Sequence, residues 1–164
     1  MNKLTSQTRR HMLASALGLL LLVGWQPASA QACTMTAVAP VFGSYLSSGT
    51  GSNAAGSVTV SCVVVGALAL DVFYTVKLGP GNQAQGTQRR LRSGTSHLSY
   101  NVYCDPGHSQ IWADGTGGTC VRTGGRQGLL GSLLNVYPVY GRIPGGQFVA
   151  PGVYTDLIMV EVLY

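Results

Sequence analysis

The sequence predicts an all-β fold, an antiparallel sandwich behind an N-terminal leader, on three observations. Apolar residues recur at period two in short runs, no helical period follows the leader, and Gly, Ser, Asn and Pro separate the runs. The leader comes first in the chain. Lys3, Arg9 and Arg10 make a basic n-region, residues 12–25 an apolar run, and Ala28-Ser29-Ala30 a small-x-small cleavage signal. The run is shorter than the ~20 residues a membrane helix needs. Residues 1–30 are therefore expected to be a cleaved signal peptide, and residues 31–164 one secreted domain long enough to bury a core.

The expected strands follow in order. Residues 33–42 are the first. Val58, Val60 and Cys62 share a face in the second, with Thr59 and Ser61 opposite. Val72, Tyr74, Val76 and Leu78 share a face in the third, with Lys77 outward. Arg89, Arg90 and Arg92 read as a solvated loop. Leu98, Tyr100 and Val102 make another strand, and residues 115–131 a glycine-rich, flexible tract. Tyr137, Val139 and Ile143 share a face in the next strand. Pro138 within it has no N–H for a ladder, so an edge position or a bulge is expected. Ile143-Pro144-Gly145-Gly146-Gln147 is a turn, and Pro151-Gly152 opens the last strand.

In that last strand Ile158, Val160, Val162 and Tyr164 fall on one face and Glu161 on the other. The first face is expected to be buried, which leaves the strand's free edge beside an apolar surface. Unpaired backbone groups next to an apolar face invite another strand, so the expectation is a chain that accepts a β-strand from a partner.

Composition narrows the function. Without the leader, Lys77 and six arginines stand against five acids, a net charge of about +2 with no concentrated basic footprint, and no nucleic-acid partner is expected. Four cysteines, Cys33, Cys62, Cys104 and Cys120, in an oxidising compartment indicate two disulfides. Three connectivities are formally open; nearest-neighbour pairing, Cys33 with Cys62 and Cys104 with Cys120, closes modest loops and is favoured. Cys104, His108 and Cys120 lack C-x-x-C spacing and a fourth ligand for a metal. Only His97 and His108 follow the leader, and no nucleophile elbow, zinc helix or phosphate loop occurs. Asp71, Asp105, Asp114 and Asp156 stand singly among turns. No catalytic residue, metal or cofactor is assigned, and the chain is not expected to be an enzyme.

Taken together, Phe42-Gly43-Ser44-Tyr45, Val58-Thr59-Val60-Ser61-Cys62, Leu98-Ser99-Tyr100-Asn101-Val102-Tyr103, the run from Ile111 to Thr119, Val139-Tyr140-Gly141-Arg142-Ile143-Pro144 and Gly152-Val153-Tyr154-Thr155-Asp156 resemble the spore coat protein U domain family. The resemblance covers nearly all of the chain after the leader, in the family's order. It implies an immunoglobulin-like sandwich missing its final strand, in a pilin-like subunit of archaic chaperone–usher pili. It implies three kinds of partner: a periplasmic chaperone, an outer-membrane usher and other pilin subunits. The implied route is secretion through the periplasm to a cell-surface fimbria, in attachment and biofilm formation. Carried over by position, Ile158, Val160, Val162 and Tyr164 would form one wall of the donor-strand groove and the strand after Cys33 the other. With cleavage after Ala30, only Gln31 and Ala32 precede Cys33, so this subunit is expected to receive a strand rather than give one, as at a pilus tip. The alternative is a stand-alone adhesin or coat protein that binds a surface through exposed loops, with Leu129, Leu130, Leu133 and Leu134 as candidates for its patch and Leu129 and Leu130 foremost.

Overall fold

The computed structural model describes residues 29–164; residues 1–28 of the proposed leader, with its basic and apolar parts, lie outside the described residues. The described residues form eight strands and no helix. They are β1 (Ala30–Val38), β2 (Gly51–Val65), β3 (Leu70–Leu78), β4 (Arg89–Ser93), β5 (Ser96–Tyr103), β6 (Arg122–Leu129), β7 (Gly131–Pro144) and β8 (Val160–Leu163). All named pairings are antiparallel. One sheet has the order β1-β2-β7-β5-β4 and the other β6-β3-β8.

The period-two faces read from the sequence meet between the sheets. Val58, Val60, Cys62 and Val64 point inward from β2, Val72, Tyr74, Val76 and Leu78 from β3, and Leu98, Tyr100 and Val102 from β5. Trp112, on the segment after β5, is fully buried, and its indole N–H donates to the Val76 carbonyl at 3.2 Å. That bond satisfies the one polar atom of a large core side chain. Both disulfides have the favoured pairing, Cys33–Cys62 across β1 and β2 and Cys104–Cys120 closing the segment that carries Trp112. The sulfurs of Cys104 and Cys120 are thus bonded to each other, which removes the thiolates a metal would need.

Five expectations are corrected by the structure. The first strand runs Ala30–Val38 and stops there, because Pro40 has no N–H to continue a ladder. The arginine triplet lies on β4, and Arg89 is 1% exposed instead of solvated. Part of the glycine tract is ordered as β6 against β3. Gly125 takes φ 141° there, with Val72 and Phe73 close enough to exclude a Cβ. Pro138 is on a strand that is interior in the sheet order, in unbroken register opposite Ser57. Because β5 pairs only with Tyr140, Gly141 and Arg142, β7 has one free side at Pro138. The last strand is short. The alternation persists from Tyr154 onward, but only Val160–Leu163 forms a ladder, and Tyr164 is 67% exposed instead of inward.

Candidate functional site: a cleft into the core

On one side the sandwich does not close. A cleft of about 960 Å³ opens between two unladdered segments and reaches core side chains of both sheets. Its floor includes Val58 of β2, Leu78 of β3, Leu91 of β4, Leu98, Tyr100 and Val102 of β5, and Val139 and Ile143 of β7. One lip is the end of β1 and residues 39–47; the other is residues 149–158 leading into Val160. Val41 and Val153, one on each lip, are both 83% exposed, so each lip holds apolar side chains out toward solvent.

The chain's own chemistry positions both lips. Gly56 has no Cβ, so residues 38–40 pass close over β2 as the first lip leaves the sheet. Gly141 likewise lets the Phe42 ring lie against β7. Phe42 meets Tyr100 edge-to-face at 5.8 Å, and Ser52 Oγ donates to the Phe42 carbonyl at 2.7 Å. Tyr45 Oη donates to the Pro144 carbonyl and accepts from the Gln147 N–H at 2.9 Å, while the Gln147 side chain bonds both backbone groups of Ser99. The second lip is tied by a backbone pair between Thr155 and Arg92 and by Gly79 N–H donating to Met159. Among the described residues, the Thr155 pair is the one backbone–backbone connection of residues 152–158.

The polar end of the cleft is a network that runs from the exposed Asn82 to the buried Tyr100 and Arg89. Asp156 Oδ2 accepts from Tyr100 Oη at 2.8 Å and Oδ1 from the Asn82 N–H at 3.0 Å. Burial, then the bond to Asp156, pushes the Tyr100 hydroxyl well above its ordinary range, so it stays a donor. Behind it, Arg89 donates to the carbonyls of Gly79, Leu78 and Trp112, with one buried Nη1 lacking a partner. Burial holds the guanidinium below its usual range, and Tyr100 and Asp156 oppose that shift. Asp156, read from the sequence as a turn residue, instead fastens the second lip.

Of the four residues expected to share a groove wall, Ile158 and Val160 line the cleft. Val162 packs against the core beyond it. Tyr164 lies with Phe73 and Leu163 beside the glycines of β6, on another part of the small sheet. Ala37 and Val38 of β1 contribute to the opposite lip. The expected surface patch divides. Leu130 is 59% exposed, but Leu129 is 1% exposed because it closes β6 against Leu70 and belongs to the core. The sequence reading missed Leu91 and Phe42 as cleft residues. The alternation Arg89, Leu91, Ser93 was a signal for β4, masked by three arginines in four positions. Among the described residues, no group of three potential metal ligands occurs.

The model of the Spore Coat Protein U domain matches residues 19–161. Protein U of Myxococcus xanthus is 30% identical over 112 residues, which cover 66% of this chain and 59% of that protein. A chain in the crystal structure of the CsuC–CsuE chaperone–tip adhesion subunit pre-assembly complex, from archaic chaperone–usher Csu pili of Acinetobacter baumannii, is similar in fold. It aligns with a TM-score of 0.57 at 18% identity, over 82% of this chain and 40% of that chain.

Proposed function

Because the chain belongs to the Spore Coat Protein U domain family, we propose that it is a secreted, pilin-like structural subunit that accepts a donor β-strand through the cleft. The domain is residues 31–164, an immunoglobulin-like sandwich lacking its final strand, behind a signal peptide of residues 1–30. The donor is first a periplasmic chaperone and then a neighbouring subunit at an outer-membrane usher, on the way to a surface fimbria. The observation that carries this reading is the cleft. Core side chains of both sheets face it, and its two lips leave most of their backbone unladdered. An inserted strand would gain main-chain hydrogen bonds along a lip and bury its inward side chains on the floor, at ~1.5–3 kcal/mol for each large apolar residue. Ile158 and Val160 are the wall residues of this site.

A position at the pilus tip, in attachment and biofilm formation, is the finer reading. It is supported by the state of β1, whose residues are laddered to β2 and fastened by the Cys33–Cys62 disulfide, so that Ala30–Val38 is not a free donor. The burial of Leu129 takes one residue from the patch on which an adhesin acting through that loop would rest.

The test is to express the secreted chain alone and with the cognate chaperone, and to repeat both with Val160→Asp. Chaperone binding is expected to raise the unfolding temperature of the natural chain, and Val160→Asp to abolish co-purification. A free chain that unfolds cooperatively, at a temperature no chaperone or donor peptide changes, would refute strand acceptance.

A further inference from the structure

Among the described residues, four strands lie at sheet edges: β1 and β4 in the large sheet, β6 and β8 in the small one. Exposed edges template the addition of other strands, and proteins blunt them with charge, proline, bulges or brevity. Three of the four are blunted. β4 has five residues including three arginines, and Thr155 bridges to it. β6 carries Gly124, Gly125, Gly128 and two arginines, with a register shift in its pairing. β8 has four residues including Glu161.

β1 has none of these protections. In the secreted chain its residues are Gln31 to Val38, with no charged side chain, proline or glycine among them, and they pair with β2 in consecutive steps without a bulge. The outward residues of β2 beside it, Ser57, Thr59, Ser61, Val63 and Val65, are uncharged as well. The Cys33–Cys62 disulfide joins directly opposite residues, so the edge is pinned to its neighbour.

The disulfide also fixes which backbone groups are free. Opposed residues that exchange no hydrogen bonds have Cα atoms ~4.5 Å apart, against ~5.5 Å for those that do. Cys33 and Cys62 are 4.0 Å apart and belong to the first kind. Cys33, and with it Gln31, Met35 and Ala37, therefore turns its N–H and C=O away from β2 toward the open edge.

We infer that this edge pairs with β1 of a second copy of the chain, antiparallel about a two-fold axis at Thr34. That register sets Gln31 opposite Ala37 of the second copy and Cys33 opposite its Met35, so every free donor and acceptor on one edge finds its complement on the other. A two-fold contact needs such a self-complementary strand, and one without charged side chains brings two positively charged chains together with the α-amino groups of Gln31 at opposite ends of the pair. The two Thr34 side chains stand side by side on the outer face, a favourable cross-strand pair. The contact lies outside the cleft and does not depend on strand acceptance.

Sedimentation velocity of the secreted chain over a wide concentration range is the test, with Met35→Pro and two cysteine variants. Met35→Pro removes an edge-facing N–H and spares the bonds to β2. It is expected to weaken dimerisation roughly tenfold or more, since each dimer loses two hydrogen bonds, with the disulfides unchanged. On air oxidation Thr34→Cys should give a covalent dimer through its own symmetry mate, with both native disulfides intact by peptide mapping, and Thr36→Cys should not. Dimerisation should persist when a donor peptide fills the cleft. The inference is overturned if the chain stays monomeric and Thr34→Cys cross-links no better than Thr36→Cys. It is equally overturned if the dimer survives Met35→Pro, or if filling the cleft dissolves it, which would mean strand exchange through the cleft. Should Met35→Pro not fold, the cysteine pair decides alone.

Discussion

Replacing Arg89 by Met tests whether the buried guanidinium organises the polar end of the cleft. Arg89 is 1% exposed and donates to three carbonyls, Gly79 at 2.6 and 3.0 Å, Trp112 at 2.9 Å and Leu78 at 3.3 Å. Methionine keeps much of the apolar stem, so the packing loss is modest, but all three carbonyls lose a charged donor. A buried acceptor left without its partner costs ~1–3 kcal/mol. Three of them, less the relief of no longer desolvating a charge with one unpartnered nitrogen, give a loss of about 3–5 kcal/mol. For a domain between 100 and 150 residues that is a fall of roughly 11–18 °C in the unfolding midpoint. Lysine restores the charge but not the planar fork, so Arg89→Lys should recover less than half of the loss. Urea unfolding followed by the fluorescence of Trp112, whose carbonyl is one of the three acceptors, measures it directly. A Met variant within about 0.5 kcal/mol of the natural protein would refute the reasoning, since surface-like substitutions behave that way.

Three further outcomes are expected. Replacing Cys33 and Cys62 together by Ala should cost about 3.5 kcal/mol and replacing Cys104 and Cys120 about 3 kcal/mol, because the loops span 29 and 16 residues; denaturant titration of the two double variants compares them. Leu129→Ser should destabilise by roughly 2–5 kcal/mol, as core truncations do, while Leu130→Ser stays within ~0.5 kcal/mol, both read from thermal midpoints. Backbone bonds from Gln110 and Ser109 hold the Asp105 carboxyl below its usual range, and the backbone N–H of Thr116 does the same for Asp114. Both groups therefore contribute stability above the unfolded carboxylate range that is lost as pH falls through their depressed folded values. Asp105→Asn should flatten part of the acid limb below about pH 4, measured by thermal melts across pH.

What could be read from the chain depended on whether each signal was local. Alternation at period two depends on the pleat of a single strand, which is why the inward rows of β2, β3 and β5 were legible. β4 was not, because Arg89 sits inward by satisfying carbonyls from β3 and the Trp112 segment, partners distant in sequence. A buried arginine and a solvated one look the same in a list of residues. The glycine strand β6 was hidden for a related reason: its order comes from β3 and from Phe73 lying over Gly125, not from its own propensity. In the last strand the alternating face was visible from Ile158 to Val162, while the point where pairing begins was not. That boundary depends on β3, whose Leu78 is the last residue to find a partner, at Val160. Cys33 with Cys62 was accessible because nearest-neighbour pairing closes modest loops, a preference that rests on sequence spacing alone.

The open side of the sandwich is held open, and the kind of bond that holds it matters for what can enter. A cleft lined by apolar side chains would be expected to collapse if its lips were free to approach. Here the first lip is fixed through Tyr45 to Pro144 and Gln147, and Gln147 is itself fixed to Ser99. The second lip is fixed through Asp156 to Tyr100 and Asn82. These anchors are mostly side-chain to backbone bonds at the ends of the cleft, so they set the separation of the lips without using up the lips' own ladder positions. A donor strand of the kind proposed would meet walls already in place, and less of its binding free energy would be spent on rearranging them. The same anchors explain why the exposed valines of the two lips do not simply pack on each other. Loosening one anchor, as Asp156→Asn would through the Tyr100 bond, should narrow the cleft before it unfolds the core, and so reduce strand binding more than it lowers the unfolding midpoint. Equal losses in the two measurements would show that the anchors serve stability alone.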